Sequence, residues 1–272
     1  ASRLIGSDSV IAPTVDSFAV LVVAGPVEPL GDLAVQRVRD FVDAGGAALL
    51  LLDPVAIDPE EGGTLPILSG LESLIEERGV RATPEVVVDL ASAERVSLGQ
   101  QGAFSVVVQY PLWPIALPAS DHILTRGLRG ITLGWAGSLE VLDPTRVTPL
   151  WSTSQSGDLR DAALPIDPDQ DWNIPEDSLG VHVVAAALEA ALPEGATEPP
   201  PGSPGRIIVI ADATFSELEF VQANQQNLFF VANAIDWLAQ EEALIQIRSK
   251  NRTPPALVFT SDTTRSLLRW GN

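Results

Sequence analysis

The sequence predicts an α/β fold built on a mostly parallel sheet with helices on both faces, and three observations carry that expectation. Residues 20–24, 47–52 and 206–211 are almost continuously apolar, as strands buried on both faces of a parallel sheet are. Between the first two lies a helical pattern with Leu33, Val38, Phe41 and Val42 on one side and Gly45-Gly46 as a left-handed stop. Strand, helix and strand in that order form a βαβ unit with a right-handed crossover.

The remaining elements follow along the chain. After Asp53-Pro54 an amphipathic segment carries Leu68, Leu71, Leu74 and Ile75 at helical spacing and ends near Gly79. Residues 86–89 and 104–109 read as strands. From about 110 to 178 Pro, Trp and Gly become frequent and short β-like runs at 131–133 and 148–151 replace helical periodicity, which predicts a β-rich excursion from the sheet. Residues 179–192 mix Ala with Val181, Val183 and Val184; the β-branched residues favour strand. Residues 193–205, dense in Pro, Gly and Glu, read as an exposed loop. A helix is expected over 227–240 with Leu228, Val231, Ile235 and Leu238 as its apolar stripe, then an edge strand over 243–248. These elements make one α/β domain over 1–250, and the tail at 251–272 is expected to lead towards a membrane anchor beyond it.

Composition narrows the function. Acidic residues number 36 against 16 basic ones, a formal charge of −20, and no basic cluster interrupts them. Such a surface repels a phosphate backbone, so nucleic acid is not an expected partner. Cysteine is absent, which removes disulfides, thiolate nucleophiles and thiolate metal sites together. No run is long and apolar enough to span a bilayer. Lys250 is the one lysine, so arginine supplies nearly all the positive charge.

Candidate binding residues collect at the C-terminal ends of the predicted parallel strands: Gly25, Pro26, Asp53, Asp212 and Thr214. Ligands of open parallel sheets bind outside those ends, and two carboxylates there could hold a cation or accept hydrogen bonds from sugar hydroxyls. Equally, Asp53 and Asp212 could bond backbone N–H groups of the turns that follow. No phosphate-binding glycine motif or nucleophile elbow follows any strand, and Gly137-Ser138-Leu139 lacks the elbow's context. His122 and His182 have no metal-type partner at a familiar spacing and read as structural. Neither a metal nor a cofactor is expected. Tyr110, Trp113, Trp135, Trp151 and Trp172 cluster in the excursion. Tyr110, Trp113 and Trp172 are the expected partner-binding residues, because loop-borne aromatic rings anchor partners at low entropic cost.

Several stretches, in order, resemble the extracytoplasmic domain of GldG-like proteins, auxiliary components of uncharacterised ABC transporters related to gliding motility. They are Val20-Leu-Val-Val-Ala-Gly-Pro26 with Pro29-Leu30, Gly45-Gly46 leading to Leu51-Leu-Asp-Pro54, and His122-Ile-Leu-Thr125 with Gly127-Leu128. Further on come Gly205-Arg-Ile-Ile-Val-Ile-Ala-Asp212 with Phe215, Asn233-Ala-Ile-Asp-Trp-Leu-Ala239 and Ile245-Gln-Ile-Arg248. The resemblance implies a flavodoxin-like or class I glutamine-amidotransferase-like sheet without the amidotransferase nucleophile. It also implies a non-catalytic accessory module anchored at the periplasmic face of the cytoplasmic membrane, where it contacts a permease or an envelope ligand. The alternatives are a soluble carbohydrate-binding module and a metal-dependent hydrolase using Asp53 and Asp212.

Overall fold

In the computed structural model, the described residues are 18–58, 60–101, 104–190, 202–241, 244, 245 and 247. Strand β1 (Val20–Ala24) is followed by helix α1 (Asp32–Asp43), β2 (Ala47–Leu51), β3 (Val55–Asp58), β4 (Gly63–Pro66) and α2 (Glu72–Glu76). A run of strands comes next: β5 (Val80–Asp89), β6 (Ala93–Gln101), β7 (Phe104–Pro118), β8 (Ile131–Thr132), β9 (Gly137–Val141), β10 (Val147–Ser152), β11 (Gly157–Asp161) and β12 (Val183–Leu188). The described part closes with β13 (Ile207–Ile210), α3 (Leu218–Ala223) and α4 (Gln225–Leu238).

The three apolar runs do lie side by side. β1 pairs with β2 and β2 with β13, all parallel, and Val22 stands opposite Leu49 while Ile208 also stands opposite Leu49. β2 and β13 are buried along their whole length, with alternate residues serving opposite faces. Leu49, Leu51, Ile208 and Ile210 enter a core with Phe230, Ala234 and Trp237 of α4. Leu50, Ala48, Ile207 and Val209 enter a second core with Val38, Phe41 and Val42 of α1 and Leu74 and Ile75 of α2. Period-two alternation with both faces covered is what a continuous apolar run becomes in the middle of a sheet.

The expected three-layer, mostly parallel architecture, flavodoxin-like or amidotransferase-like, is nevertheless wrong. Among the described residues 37% are strand and 22% helix, and the sheet is a curled, mixed one. Its order is β1-β2-β13-β12-β10-β7-β6, with β8 on β7, and every pairing beyond β13 is antiparallel. The reason lies in the connections. Another parallel strand needs a crossover of a dozen or more residues, usually a helix, whereas the strands of residues 80–161 are joined without one. They form hairpins instead, and a separate antiparallel sheet β11-β5-β9 and the β3-β4 hairpin pack beside the main one.

Local readings also needed correction. The stretch at 179–192 does hold a strand, β12. Helix α4 buries Leu238 as expected but otherwise turns Asn227, Phe230, Asn233, Ala234 and Trp237 inward, leaving Leu228 and Ile235 at 52% and 40% exposure. Asn227 sets that rotation: its side chain accepts from Thr132 N–H and donates to the carbonyls of Thr132 and Phe215, fixing the first turn over β8. Leu244, Ile245 and Ile247 are helical where an edge strand was expected. Residues 193–201 of the expected loop and the tail at 251–272 lie outside the described residues.

Because β2 faces two cores, Leu49→Ala and Leu50→Ala should each destabilise the protein by about 3 kcal/mol in urea titrations. A strand buried on one face would spare one of the two.

Candidate functional site

The residues singled out at the strand ends come together. Gly25 follows β1, Asp53 follows β2, and Asp212 and Thr214 follow β13. The N–H of Gly25 donates to the Leu51 carbonyl at 3.0 Å, and its φ of 54° suits glycine. A Cβ there would stand 3.2 Å from Asp53 Oδ2 and 3.1 Å from the Ala213 Cβ. Pro26 is half-buried next to it.

Backbone donors occupy both acids. Ala213 N–H donates to Asp53 Oδ1 at 2.6 Å, and Gly134 N–H donates to Asp212 Oδ2 at 2.7 Å. The Thr214 N–H serves both carboxyl groups, and that of Phe215 serves Asp212. Asp212 has no exposed surface. Burial, and then the charge of Asp53 beside it, push its carboxyl well above the ordinary carboxylate value. Asp53 is raised as well, by burial, against the N–H groups that favour its charged form. One proton shared between neighbouring carboxyls satisfies both shifts. Asp212 Oδ1 receives no hydrogen bond among the described residues, so it is the oxygen on which that proton can sit beside Asp53. The pair is a clasp joining the ends of β2 and β13 to the link between β8 and β9.

That link is unusual. Trp135 sits at a φ of 54°, a region that bulky side chains seldom occupy. Its N–H donates to the Leu112 carbonyl, and Gly137 N–H donates to the Ala211 carbonyl at 2.7 Å. A Cβ on Gly137 would lie 3.2 Å from Pro54 and 3.5 Å from Ala211. Held this closely, Gly137 and Ser138 form one wall of a cleft of about 360 Å³. Its other walls are Leu52 to Pro54, Pro66 to Leu68, Glu72 and Ala82 to Pro84. Small-molecule sites begin at about this size.

Sequence reasoning missed Thr83, Ser138 and Glu72. Ser138 is 6% exposed and makes no side-chain hydrogen bond among the described residues, and Thr83 Oγ1 is buried without a partner. The only signal for them was the Gly137-Ser138 pair, which starts strand β9 rather than an elbow. Among the described residues no group of three His, Cys, Asp or Glu stands ready to hold a metal.

The aromatic residues occupy another place. Tyr110 is buried, with its hydroxyl donating to the Ile166 carbonyl at 2.7 Å, and burial pushes its pKa up to about 12. Trp113 is half-buried and stacks edge-on against Tyr110, Trp135 and Phe220, at 5.4, 5.5 and 4.9 Å between ring centres. Trp172, also half-buried, packs on the same small core of Val86, Val88 and Leu112. The rings thus brace the excursion, and Tyr110 supports that region from within. His122 accepts from Leu124 N–H and meets the Trp237 ring edge-on. Burial holds the His182 imidazole below its ordinary value, hence neutral.

A family model described as ABC-type uncharacterized transport system matches residues 5–245. The chain belongs to that family, whose members are auxiliary components of ABC-type transport systems. The match to this transport-system family does not extend to gliding motility. Curated proteins offer no match. Among solved structures, the mmIFT52 N-terminal domain is similar over 88% of this chain and 83% of its own, with a TM-score of 0.52 at 14% identity. At that identity the likeness is one of fold, and it accords with the curled β-rich sheet of this transport-system component. A beta-galactosidase from Bacillus circulans sp. alkalophilus is aligned over 79% of this chain but only 23% of the enzyme, with a TM-score of 0.36 and 13% identity. Among the described residues, no helix is long and apolar enough to cross a membrane.

The clasp makes a signed prediction. With its folded value raised, Asp212 stabilises the native state most below the ordinary carboxylate value of 3.8, and that contribution is lost as pH rises through the folded value. Each pH unit between the two costs about 1.4 kcal/mol. Asp212→Asn, which mimics the neutral acid, should flatten this slope and leave the protein at least as stable as wild type at pH 8. Asp212→Ala, which strands the Gly134 N–H, should lose about 1–3 kcal/mol. Urea midpoints for the three proteins between pH 4 and 8 check this.

Proposed function

We propose that the chain is the extracytoplasmic recognition module of its transport system, holding a ligand at the strand-end cleft without breaking bonds in it, and contacting the permease. The observation that carries this reading is the contrast inside one site. Asp53 and Asp212 are occupied by backbone N–H groups and by each other, while beside them the Thr83 hydroxyl is buried without a partner and Ser138, 6% exposed, makes no side-chain hydrogen bond among the described residues. A general base needs a free lone pair within reach of a substrate proton; a binding cleft needs a few unspent polar groups on an apolar wall. Membership of the transport family supports the partner, and the resemblance of the sequence to extracytoplasmic accessory domains supports the location. The permease contact is assigned to the partly exposed rings of Trp113 and Trp172, which pack on a small core.

The test uses the full-length protein expressed with its cognate transporter. Gly137→Val or Ser138→Leu, each filling the cleft, should abolish its contribution to transport, and Trp172→Ala should reduce crosslinking to the permease, with circular dichroism unchanged. Wild-type transport in both cleft variants would remove the recognition role, and undiminished crosslinking in Trp172→Ala would remove that contact.

A further inference from the structure

We propose that the cleft binds a small organic cation, an ammonium or guanidinium group on an apolar body. This deepens the recognition reading and rests on it. The first support is the lining: Leu52, Pro54, Ile67 and Leu139 make most of the wall, with Asp53 and Glu72 as its charged groups and no Lys or Arg among them. Glu72 Oε1 accepts from the Ser69 N–H and hydroxyl, at 2.7 and 2.9 Å, which leaves Oε2 for an incoming donor. Arg81, the nearest cation along β5, is held away by Glu76 and Glu140 at 2.8 and 2.9 Å.

The second support is independent of the acids. Ser138 is more than nine-tenths buried and lines the cleft without a hydrogen bond among the described residues, and the Thr83 hydroxyl beside it is also without a partner. A buried hydroxyl left unbonded costs free energy that a ligand group can recover. Serine and threonine oxygens accept as well as donate, so they suit an N–H donor whose charge the carboxylates balance.

The third support is the distribution of charge. Residues 53–77 include Asp53, Asp58, Glu60, Glu61, Glu72, Glu76 and Glu77 but no Lys or Arg, and residues 207–247 hold no Lys or Arg at all. Arg78 and Arg146 line a separate cavity of about 230 Å³ beside Gly205 and Ile207, at the opposite end of β13. Acid therefore gathers at the cleft end, whereas at the other end Arg78 and Arg206 are paired with Asp43 and Glu189, and a one-signed field around a low-dielectric cleft concentrates counter-ions there. A neutral ligand would draw nothing from this field, and an anion would be repelled.

The experiment titrates the protein with benzylamine and with benzyl alcohol, which share an apolar body and differ in charge, by calorimetry and by amide chemical shifts. Saturable benzylamine binding is expected, with shifts at Thr83 and Ser138, at least tenfold weaker binding of the alcohol, and a loss of affinity in added salt. Glu72→Gln, which keeps the acceptor for Ser69, and Ser138→Val should each weaken benzylamine about tenfold. Equal binding of amine and alcohol at the cleft would overturn the cation assignment while leaving the recognition reading in place. No saturable binding of benzylamine, or unchanged affinity in both folded variants, would also overturn it; the transport assay with the filled cleft decides the recognition reading separately.

Discussion

A carboxyl group with no exposed surface ties the parallel strands of this sheet together at their C-terminal ends. Asp212 closes β13, the strand that is parallel to β2 on one side and antiparallel to β12 on the other. Through the Gly134 N–H it fixes the link that carries Trp135 and Gly137, and through Asp53 it fixes the end of β2. Burying an acid is costly, and the cost is contained because the proton stays on and four backbone N–H groups, of Gly134, Ala213, Thr214 and Phe215, point at the pair. With that clasp in place Gly137 lies against Pro54 and Ala211, and the cleft takes its shape.

Much of this was legible in the chain. Continuous apolar runs at β2 and β13 announced strands covered on both faces, and the acids directly after them announced a shared end of a parallel sheet. What the sequence could not convey was the neighbour of β13 on its far side. An apolar strand such as Val183–Leu188 is equally suited to parallel and antiparallel pairing, and its direction is set by its antiparallel neighbours β10 and β13, which the run itself does not record. The face of α4 was misjudged for a related reason. Leu228 and Ile235 are more hydrophobic than Asn227 and Asn233, yet the asparagines go inward because their amides satisfy carbonyls of Thr132, Phe215 and Leu124. Hydrogen bonds between distant segments are invisible to periodicity. Thr83 and Ser138 escaped notice likewise, since a hydroxyl's significance here lies in the bond it does not make.

The aromatic excursion and the strand-end cleft are separate places in the fold. Tyr110, Trp113, Trp135 and Phe220 pack edge-to-face, an arrangement that adds to area burial and stiffens the wall from which Gly134 and Ser138 are presented. The same packing leaves Trp113 and Trp172 only partly covered. The proposed ligand cleft and the proposed permease contact therefore share no lining residue, since neither Trp113 nor Trp172 borders the cleft.

The shared proton is the claim on which the rest stands, and carboxyl carbon chemical shifts of aspartate-labelled protein, followed from pH 3 to 8, test it most directly. The account predicts that Asp212 keeps the shift of a neutral acid well above the pH at which the exposed aspartates have ionised, and that Asp53 titrates in step with it. An Asp212 carboxyl that ionises together with the exposed ones would contradict the account.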